Sequence, residues 1–134
     1  MESDLPGIQL RTLVSGEETG GAVVVFRERS DPGVGPPLHV HDAQTEVFHV
    51  VEGRYRFRVD GETFELEAGG CAVAPMGSAH AFKNIGGETG ELRVEMIPAL
   101  ESEAFFAELP RVSAEDAPAF FAKHRNRLIG PSGL

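Results

Sequence analysis

Residues 33–53 read GVGPPLHVHDAQTEVFHVVEG and place His39, His41 and Glu46 close together in the chain. Side chains on an extended strand alternate between its two faces, so His39 and His41 project to one side while Val40 projects to the other. Glu46 follows a short connection and opens a second strand-like run, from which its carboxylate can return to the same centre. The stretch therefore predicts two strands that present two imidazoles and one carboxylate to a shared point.

A second stretch supplies a further candidate ligand. Residues 69–84 read GGCAVAPMGSAHAFKN and contain His80, which must reach the first stretch through a long-range contact. Neutral imidazole nitrogens and a carboxylate oxygen suit iron, manganese, nickel, zinc, cobalt or copper. The two stretches therefore predict a site for one divalent transition metal ion with four protein ligands: His39, His41, Glu46 and His80.

The spacing of glycines, prolines and candidate ligands follows two motifs. The first stretch fits G-x5-H-x-H-x4-E-x6-G, and the second fits G-x5-P-x-G-x2-H-x3-N. Both resemble the sequence motifs of the cupin superfamily, in the order and with the short spacer of its compact single-domain members, and the chain's ending resembles that of quercetinase-like bacterial cupins. The resemblance spans residues 33–84. It implies a jelly-roll barrel, the double-stranded β-helix of cupins, in which the four matching residues bind the metal.

The rest of the pattern predicts an all-β domain over residues 1–100. Residues Arg54–Val59 alternate strictly between apolar and basic side chains, and Asp60-Gly61 is typical of a type I′ hairpin turn. Pro98 ends the last predicted strand because proline has no N–H for the ladder. Many short strands separated by glycine and proline turns favour a barrel. The other predicted strands are Ile8–Val14, Ala22–Arg29, Glu46–Val51, Cys71–Ala74, His80–Asn84 and Glu91–Met96.

Residues 101–134 change to a helical period. Two short C-terminal α-helices are predicted, at Ser102–Leu109 and at Ala117–Leu128, with Ser113–Asp116 as a typical start for the second. This helical tail is expected to pack on the barrel or on a partner subunit, and a homodimer is expected because the tail and the first strands could pair across a two-fold axis. The apolar residues predicted to form the docking face are Phe105, Phe106, Leu109, Phe120 and Phe121.

Composition argues against several classes of partner and location. A chain of 134 residues is long enough for one domain with its own core. With 12 basic and 21 acidic residues its formal charge is −9, which repels nucleic acids and anionic membranes. Cys71 has no second cysteine to pair with, and the first residues lack the features of a secretion signal, so a cytoplasmic protein is expected. No run approaches the roughly 18 apolar residues of a membrane span.

Strand parity directs five apolar side chains towards the predicted metal, and a sixth, Met76, lies on a turn nearby. They would favour a planar or hydrophobic small organic ligand over a sugar phosphate. Packing of a small barrel explains the same residues equally well. The six candidates for a substrate pocket are Phe48, Phe57, Met76, Phe82, Val94 and Met96.

Three functions are compatible with this pattern. The quercetinase-like resemblance implies a metal-dependent dioxygenase for a flavonol or another enolisable aromatic, in which Glu46 takes the proton of the substrate hydroxyl. A cupin that binds or senses a small molecule without converting it is the alternative, and a sugar isomerase or epimerase is less favoured because few basic groups face the barrel. No chemical role is predicted for His49, on the opposite strand face from Glu46, or for His124, which lies among charged residues.

Overall fold

A computed structural model describes residues 1–134 and consists mostly of antiparallel strands. The strands are β1 Glu2–Leu5, β2 Ile8–Val14, β3 Val24–Ser30, β4 Leu38–His41, β5 Thr45–Glu52, β6 Arg54–Val59, β7 Glu62–Glu67, β8 Cys71–Ala74, β9 Ala79–Asn84, β10 Gly90–Ile97 and β11 Asn126–Gly130. The helices are α1 Ser102–Glu108, a 3-10 turn at Leu109–Arg111, and α2 Ala117–Lys123.

Two sheets form the barrel. One has six strands in the order β1-β2-β3-β10-β5-β8, and the other has five in the order β11-β4-β9-β6-β7. Every strand pair is antiparallel, and side chains alternate between the interior and the solvent, as in β6, where Tyr55 and Phe57 are buried. A cluster of 14 buried apolar residues fills the space between the sheets. The predicted all-β jelly-roll fold is confirmed.

The hairpins follow the turn chemistry of the sequence. The first two strands predicted from the sequence are adjacent in the structure, where β2 pairs with β3 in an antiparallel ladder. Asp60 and Gly61 both have positive φ angles, 47° and 83°, as a type I′ turn requires between β6 and β7. Strand β1 was not predicted; its alternation is short, and it forms only by pairing with β2.

The predicted second helix is wrong in its extent. Helix α2 ends at Lys123 instead of continuing to Leu128, and Arg125 has a φ angle of 60°, which no right-handed helix can contain. Residues Asn126–Gly130 instead form β11, which pairs with β4 so that Asn126 lies opposite His41. The end of the chain therefore completes the five-stranded sheet beside the candidate metal ligands.

The two helices pack on the barrel through aromatic rings. Phe105, Phe120 and Phe121 form a small buried cluster. The neighbouring Phe106 contacts Phe26 of the barrel core edge-on, with 5.4 Å between ring centres. Phe106 thus brings α1 into contact with the barrel. Neither helix has the length and apolar character needed to cross a membrane.

Candidate metal centre

Both sheets contribute to the cluster of predicted ligands. His39 and His41 lie on β4 and His80 lies on β9, directly opposite His39 in the five-stranded sheet. Glu46 comes from β5 of the six-stranded sheet and reaches across the interior. All four side chains are buried. The structure therefore brings together the four residues that the motifs singled out.

The potential ligand atoms of these residues converge. One nitrogen from each imidazole and one carboxylate oxygen all lie within 4.8 Å of one another. The Oε1 atom of Glu46 is 2.9 Å from Nε2 of His80 and 3.3 Å from Nε2 of His41. Such a set of three nitrogens and one oxygen, facing one point, is able to hold a single divalent ion.

Each imidazole is oriented through its other ring nitrogen. Nδ1 of His39 donates to the carbonyl oxygen of Pro37 at 2.7 Å, and Nδ1 of His80 donates to that of Ser78 at 3.1 Å. Nδ1 of His41 donates to the side-chain oxygen of Asn126 at 2.8 Å. Because each Nδ1 donates its proton to an oxygen acceptor, Nε2 is the ring nitrogen left to bind a metal.

The electrostatics of the cluster also fit a cation. Burial, together with the neighbouring His80 and His41, lowers the pKa of His39 to about 3. Burial opposes ionisation of Glu46, but the charge and hydrogen bonds of His41 and His80 hold its pKa well below the usual range. Burial alone would lower the pKa of His41, yet the Glu46 carboxylate raises it above its ordinary value. A buried carboxylate anion needs a positive partner, which a divalent ion provides while displacing imidazole protons.

Five of the six predicted pocket residues are buried in the barrel core. Phe48, Phe57, Phe82, Val94 and Met96 all belong to the core cluster. Met76 lies on the turn after β8 and is 52% exposed. Of the six, only Met96 also lines a cavity between the barrel and the C-terminal helices. A role for these side chains in contacting a ligand stays a prediction.

A cavity of about 320 Å³ lies between the barrel and the C-terminal helices. His41 lines it, so the cavity adjoins the ligand cluster, and it is also lined by Gln44, Asn126 and His124. Sequence reasoning gave no role to these last three residues. The Gln44 amide nitrogen lies within hydrogen-bond distance of the carbonyl oxygens of Pro98 and Ala99 and of the Ser102 hydroxyl, and its two N–H groups tie the connection between β4 and β5 to the start of α1. The one sequence feature that could have indicated a role for Gln44 is its position, as a polar residue between His41 and Glu46.

His49 lies on the outer face of its strand, as predicted. Its Nε2 atom is hydrogen-bonded to the Glu95 carboxylate, and its Nδ1 atom lies 3.1 Å from the Cys71 sulfur. Strand alternation separates it from Glu46, whose side chain is inside the barrel. His49 therefore takes no part in the ligand cluster.

A family model described as the cupin domain matches residues 26–97, more than half of the chain. The chain belongs to the cupin family. Among curated relatives of this cupin, the Polyketide synthase CurC of Streptomyces cyaneus is 35% identical over 94 residues, which are 69% of this chain and 60% of that protein. The Quercetin 2,3-dioxygenase of Bacillus subtilis is 31% identical over 83 residues, 61% of this chain and 25% of that protein. This cupin thus spans three fifths or less of the length of both relatives.

A solved structure supports the same barrel. KdgF from Halomonas sp. superposes with a TM-score of 0.69 at 20% identity, over 77% of this cupin and 92% of that chain. At this level of identity the similarity concerns the fold. The chemistry of this cupin must therefore be argued from its own residues.

Proposed function

We propose that this cupin binds one divalent transition metal ion and acts as a metal-dependent dioxygenase on a small aromatic or otherwise enolisable organic substrate. The observation that carries the proposal is the convergence, within 4.8 Å, of one nitrogen from each of three oriented imidazoles and an oxygen of one buried carboxylate. The proposed ligands are His39, His41, Glu46 and His80. Four protein ligands leave room for a small molecule on an ion that prefers five or six.

A bound ion would supply Lewis acidity and, if redox-active, electron transfer between substrate and dioxygen. The protein would supply the base. Glu46 is the one carboxylate in the cluster, and its low pKa keeps it ionised at neutral pH. It would accept the proton of the substrate hydroxyl and so produce the electron-rich enolate that reacts with dioxygen. The buried imidazoles would keep their orientation through their bonds to Pro37, Ser78 and Asn126.

The similarity to the Bacillus subtilis Quercetin 2,3-dioxygenase supports a dioxygenase reaction. The similarity to the Streptomyces cyaneus Polyketide synthase CurC favours a second candidate, the processing of an aromatic polyketide without oxygen uptake. In both proposed reactions Glu46 would act as the base that removes a proton from an enolisable substrate. They differ in whether dioxygen is consumed.

Replacement of Glu46 by Gln tests the role of this base. The amide keeps the size of the side chain and an oxygen ligand, so we expect the variant to retain at least half of its metal. Turnover should fall by about 100-fold or more, because the proton acceptor is lost. His49→Gln is the matched control, since His49 lies on the outer face, and its turnover should equal that of the wild type.

Oxygen consumption measured with a panel of flavonols and aromatic polyketides separates the candidates. Uptake of dioxygen in step with substrate loss supports the dioxygenase. Product formed under anaerobic conditions instead supports the polyketide reaction. Full turnover by the Glu46→Gln variant would refute the base role in either reaction, and saturable binding of a ligand that is never converted would indicate a binding protein.

A further inference from the structure

Gln44, in the connection between β4 and β5, has an unpaired acceptor beside the candidate ligands. The residue is only 4% exposed and lines the cavity between the barrel and the C-terminal helices. Its amide nitrogen has three acceptors within reach: the carbonyl oxygens of Pro98 and Ala99 and the Ser102 hydroxyl. These partners fix the orientation of the amide, because a flipped amide would point its oxygen at two carbonyl oxygens. The oxygen, Oε1, is therefore the end of the amide that has no partner.

Asn126, on β11, has an unpaired donor on the same cavity. It is also 4% exposed and lines the cavity. Its Oδ1 atom accepts the Nδ1 proton of His41, while its Nδ2 atom has no acceptor within hydrogen-bond distance. Neither this nitrogen nor Oε1 of Gln44 is among the chain's fully enclosed unpaired atoms, which belong to other residues. Both atoms therefore keep some accessible surface, and because the two residues are otherwise buried, that surface faces the cavity.

The cavity places these two polar atoms beside an apolar wall. Met96 and Phe105 are buried residues of this wall, and Phe106 completes it. Lys123 and Arg125 also line the cavity, but both are exposed, so water and salt screen their charge. A buried acceptor and a buried donor, both on uncharged amides, favour a neutral ligand group that offers one donor and one acceptor in return.

We propose that this cavity binds a small neutral aromatic carboxamide. The ligand N–H donates to Oε1 of Gln44, its carbonyl oxygen accepts from Nδ2 of Asn126, and its ring packs against Met96 and Phe105. A carboxamide carries its donor and its acceptor on separate atoms, whereas a carboxylate has no donor for Gln44. A volume of about 320 Å³ suits a single substituted ring. The inference goes beyond the proposed function, since no step of the metal-dependent reaction depends on it.

Titration of 4-fluorobenzamide followed by ¹⁹F NMR tests this assignment. 4-Fluoroacetophenone is the matched probe, because it keeps the ring and the carbonyl group and replaces the NH₂ group by a methyl group. 4-Fluorobenzoate is the charged probe without a donor. We expect 4-fluorobenzamide to bind about tenfold more tightly than either, because the other two leave the buried acceptor of Gln44 unpaired.

The titrations are run with the protein as purified and again after chelation, and the same preference is expected in both samples. Equal affinities of the three probes, or no binding of any of them, would overturn the proposal and indicate that water satisfies both amides. A preference that disappears on chelation would also overturn it, because the probe would then be bound by the metal.

Asn126→Asp tests the donor without removing the acceptor of His41. The aspartate keeps the size of the side chain and an oxygen for Nδ1 of His41, but it replaces the NH₂ group by a second oxygen. We expect about tenfold weaker binding of 4-fluorobenzamide. The side-chain amide signal of Asn126 in a ¹H–¹⁵N spectrum, identified by its absence in this variant, should shift when the probe is added to the wild type. A merely structural role would not move this signal, and an unshifted signal at saturation would refute the contact.

Gln44→Met tests the acceptor. Methionine keeps the length of the side chain but has no amide, so we expect a lower Tm and the loss of the preference for 4-fluorobenzamide over 4-fluoroacetophenone. A retained preference would contradict the role of Oε1. Should this variant not fold, the wild-type probe series and Asn126→Asp still decide the proposal.

Arg127→Gln is the control on β11, because Arg127 is exposed and pairs with Asp42 on the solvent side. Its affinity for 4-fluorobenzamide should equal that of the wild type. Probe binding needs neither metal nor turnover, whereas the Glu46→Gln assay measures turnover. Failure of the carboxamide site is therefore distinguishable from failure of the dioxygenase proposal.

Discussion

Asn126 is the one side chain outside the cluster that orients a candidate ligand imidazole, since Nδ1 of His39 and of His80 donates to a backbone carbonyl instead. Its Oδ1 atom accepts the Nδ1 proton of His41 and is fixed by the pairing of β11 with β4. In Asn126→Ala, Nδ1 of His41 loses this acceptor and the ring can rotate. We expect metal affinity to fall about 10- to 100-fold in a competition titration with a chromogenic chelator.

Arg127→Gln is the matched control on the same strand. Arg127 bonds the exposed carboxylate of Asp42 at 2.8 and 2.9 Å, on the solvent side of β11. A solvent-exposed ion pair of this kind contributes little to stability. Metal affinity should be unchanged in this variant. An equal loss in both variants would show that Asn126 acts through strand pairing and not through His41.

Glu28 is predicted to make stability depend on pH. The residue is 9% exposed and its Oε2 atom has no partner. Burial, reinforced by the charge of Glu46, raises the pKa of Glu28 to about 8. The folded state thus keeps Glu28 protonated at pH values where the unfolded chain has already lost that proton. Glu28 therefore makes its whole contribution to the unfolding free energy at low pH, and this contribution is lost as the pH rises through about 8.

Glu28→Gln should remove this dependence because the amide is neutral at every pH. Between about pH 5 and about pH 8 the wild type should lose on the order of 3 kcal/mol of unfolding free energy through this residue. Urea denaturation across that range measures the difference, with the exposed Glu62→Gln as the control. Parallel pH profiles for the wild type and Glu28→Gln would refute the effect.

At the scale of residues, the sequence predicted which four candidate ligands come together but not the side chains that surround them. His39, His41 and Glu46 are close in the chain, and strand alternation fixes which of them share a face. Asn126 lies 85 residues from His41, and its contact depends on a strand that pairs only in the folded protein. His124 follows a helix among charged neighbours, so its burial cannot be seen in a local pattern.

Gly35 positions the strand that carries two of the candidate ligands. A Cβ atom at Gly35 would lie 1.8 Å from the carbonyl oxygen of Phe82, a contact with backbone that no side-chain rotation relieves. Gly35→Ala must therefore push the segment before β4 away from β9. We expect a loss of more than about 2 kcal/mol in unfolding free energy by urea denaturation.

Gly87→Ala is the control for this prediction. A Cβ atom at Gly87 would have no other atom within 4 Å, and the residue has no positive φ angle. Its substitution should change stability by less than about 0.5 kcal/mol. A similar loss in the two variants would contradict the assignment of the close approach at Gly35.

At the scale of elements, alternation predicted the strands well and the end of the second helix poorly. In β6 and β10 every second residue is buried over most of the strand, and this pattern is plain in the sequence. The residues after α2 retain helix formers, so helical periodicity alone continues through them. The left-handed backbone of Arg125 and the pairing of β11 with β4 end the helix. Strand pairing is a long-range interaction, so it cannot be predicted from the local propensities of residues 124–130.

At the scale of the whole molecule, the candidate centre joins the two sheets of the barrel. Three imidazoles come from the five-stranded sheet and the carboxylate comes from the six-stranded sheet. A bound ion would therefore cross-link both halves of the fold and stabilise the native state by mass action. The homodimer and the cytoplasmic location stay predictions.

Elemental analysis by plasma mass spectrometry tests the central claim most directly. Purified wild-type protein should carry about one divalent transition metal ion per chain, as expected for one buried cluster of four ligands. The double substitution of His39 and His80 by Ala should reduce this below about one tenth of an ion, while His49→Gln retains the full amount. Equal metal content in the wild type and the double variant would contradict the account.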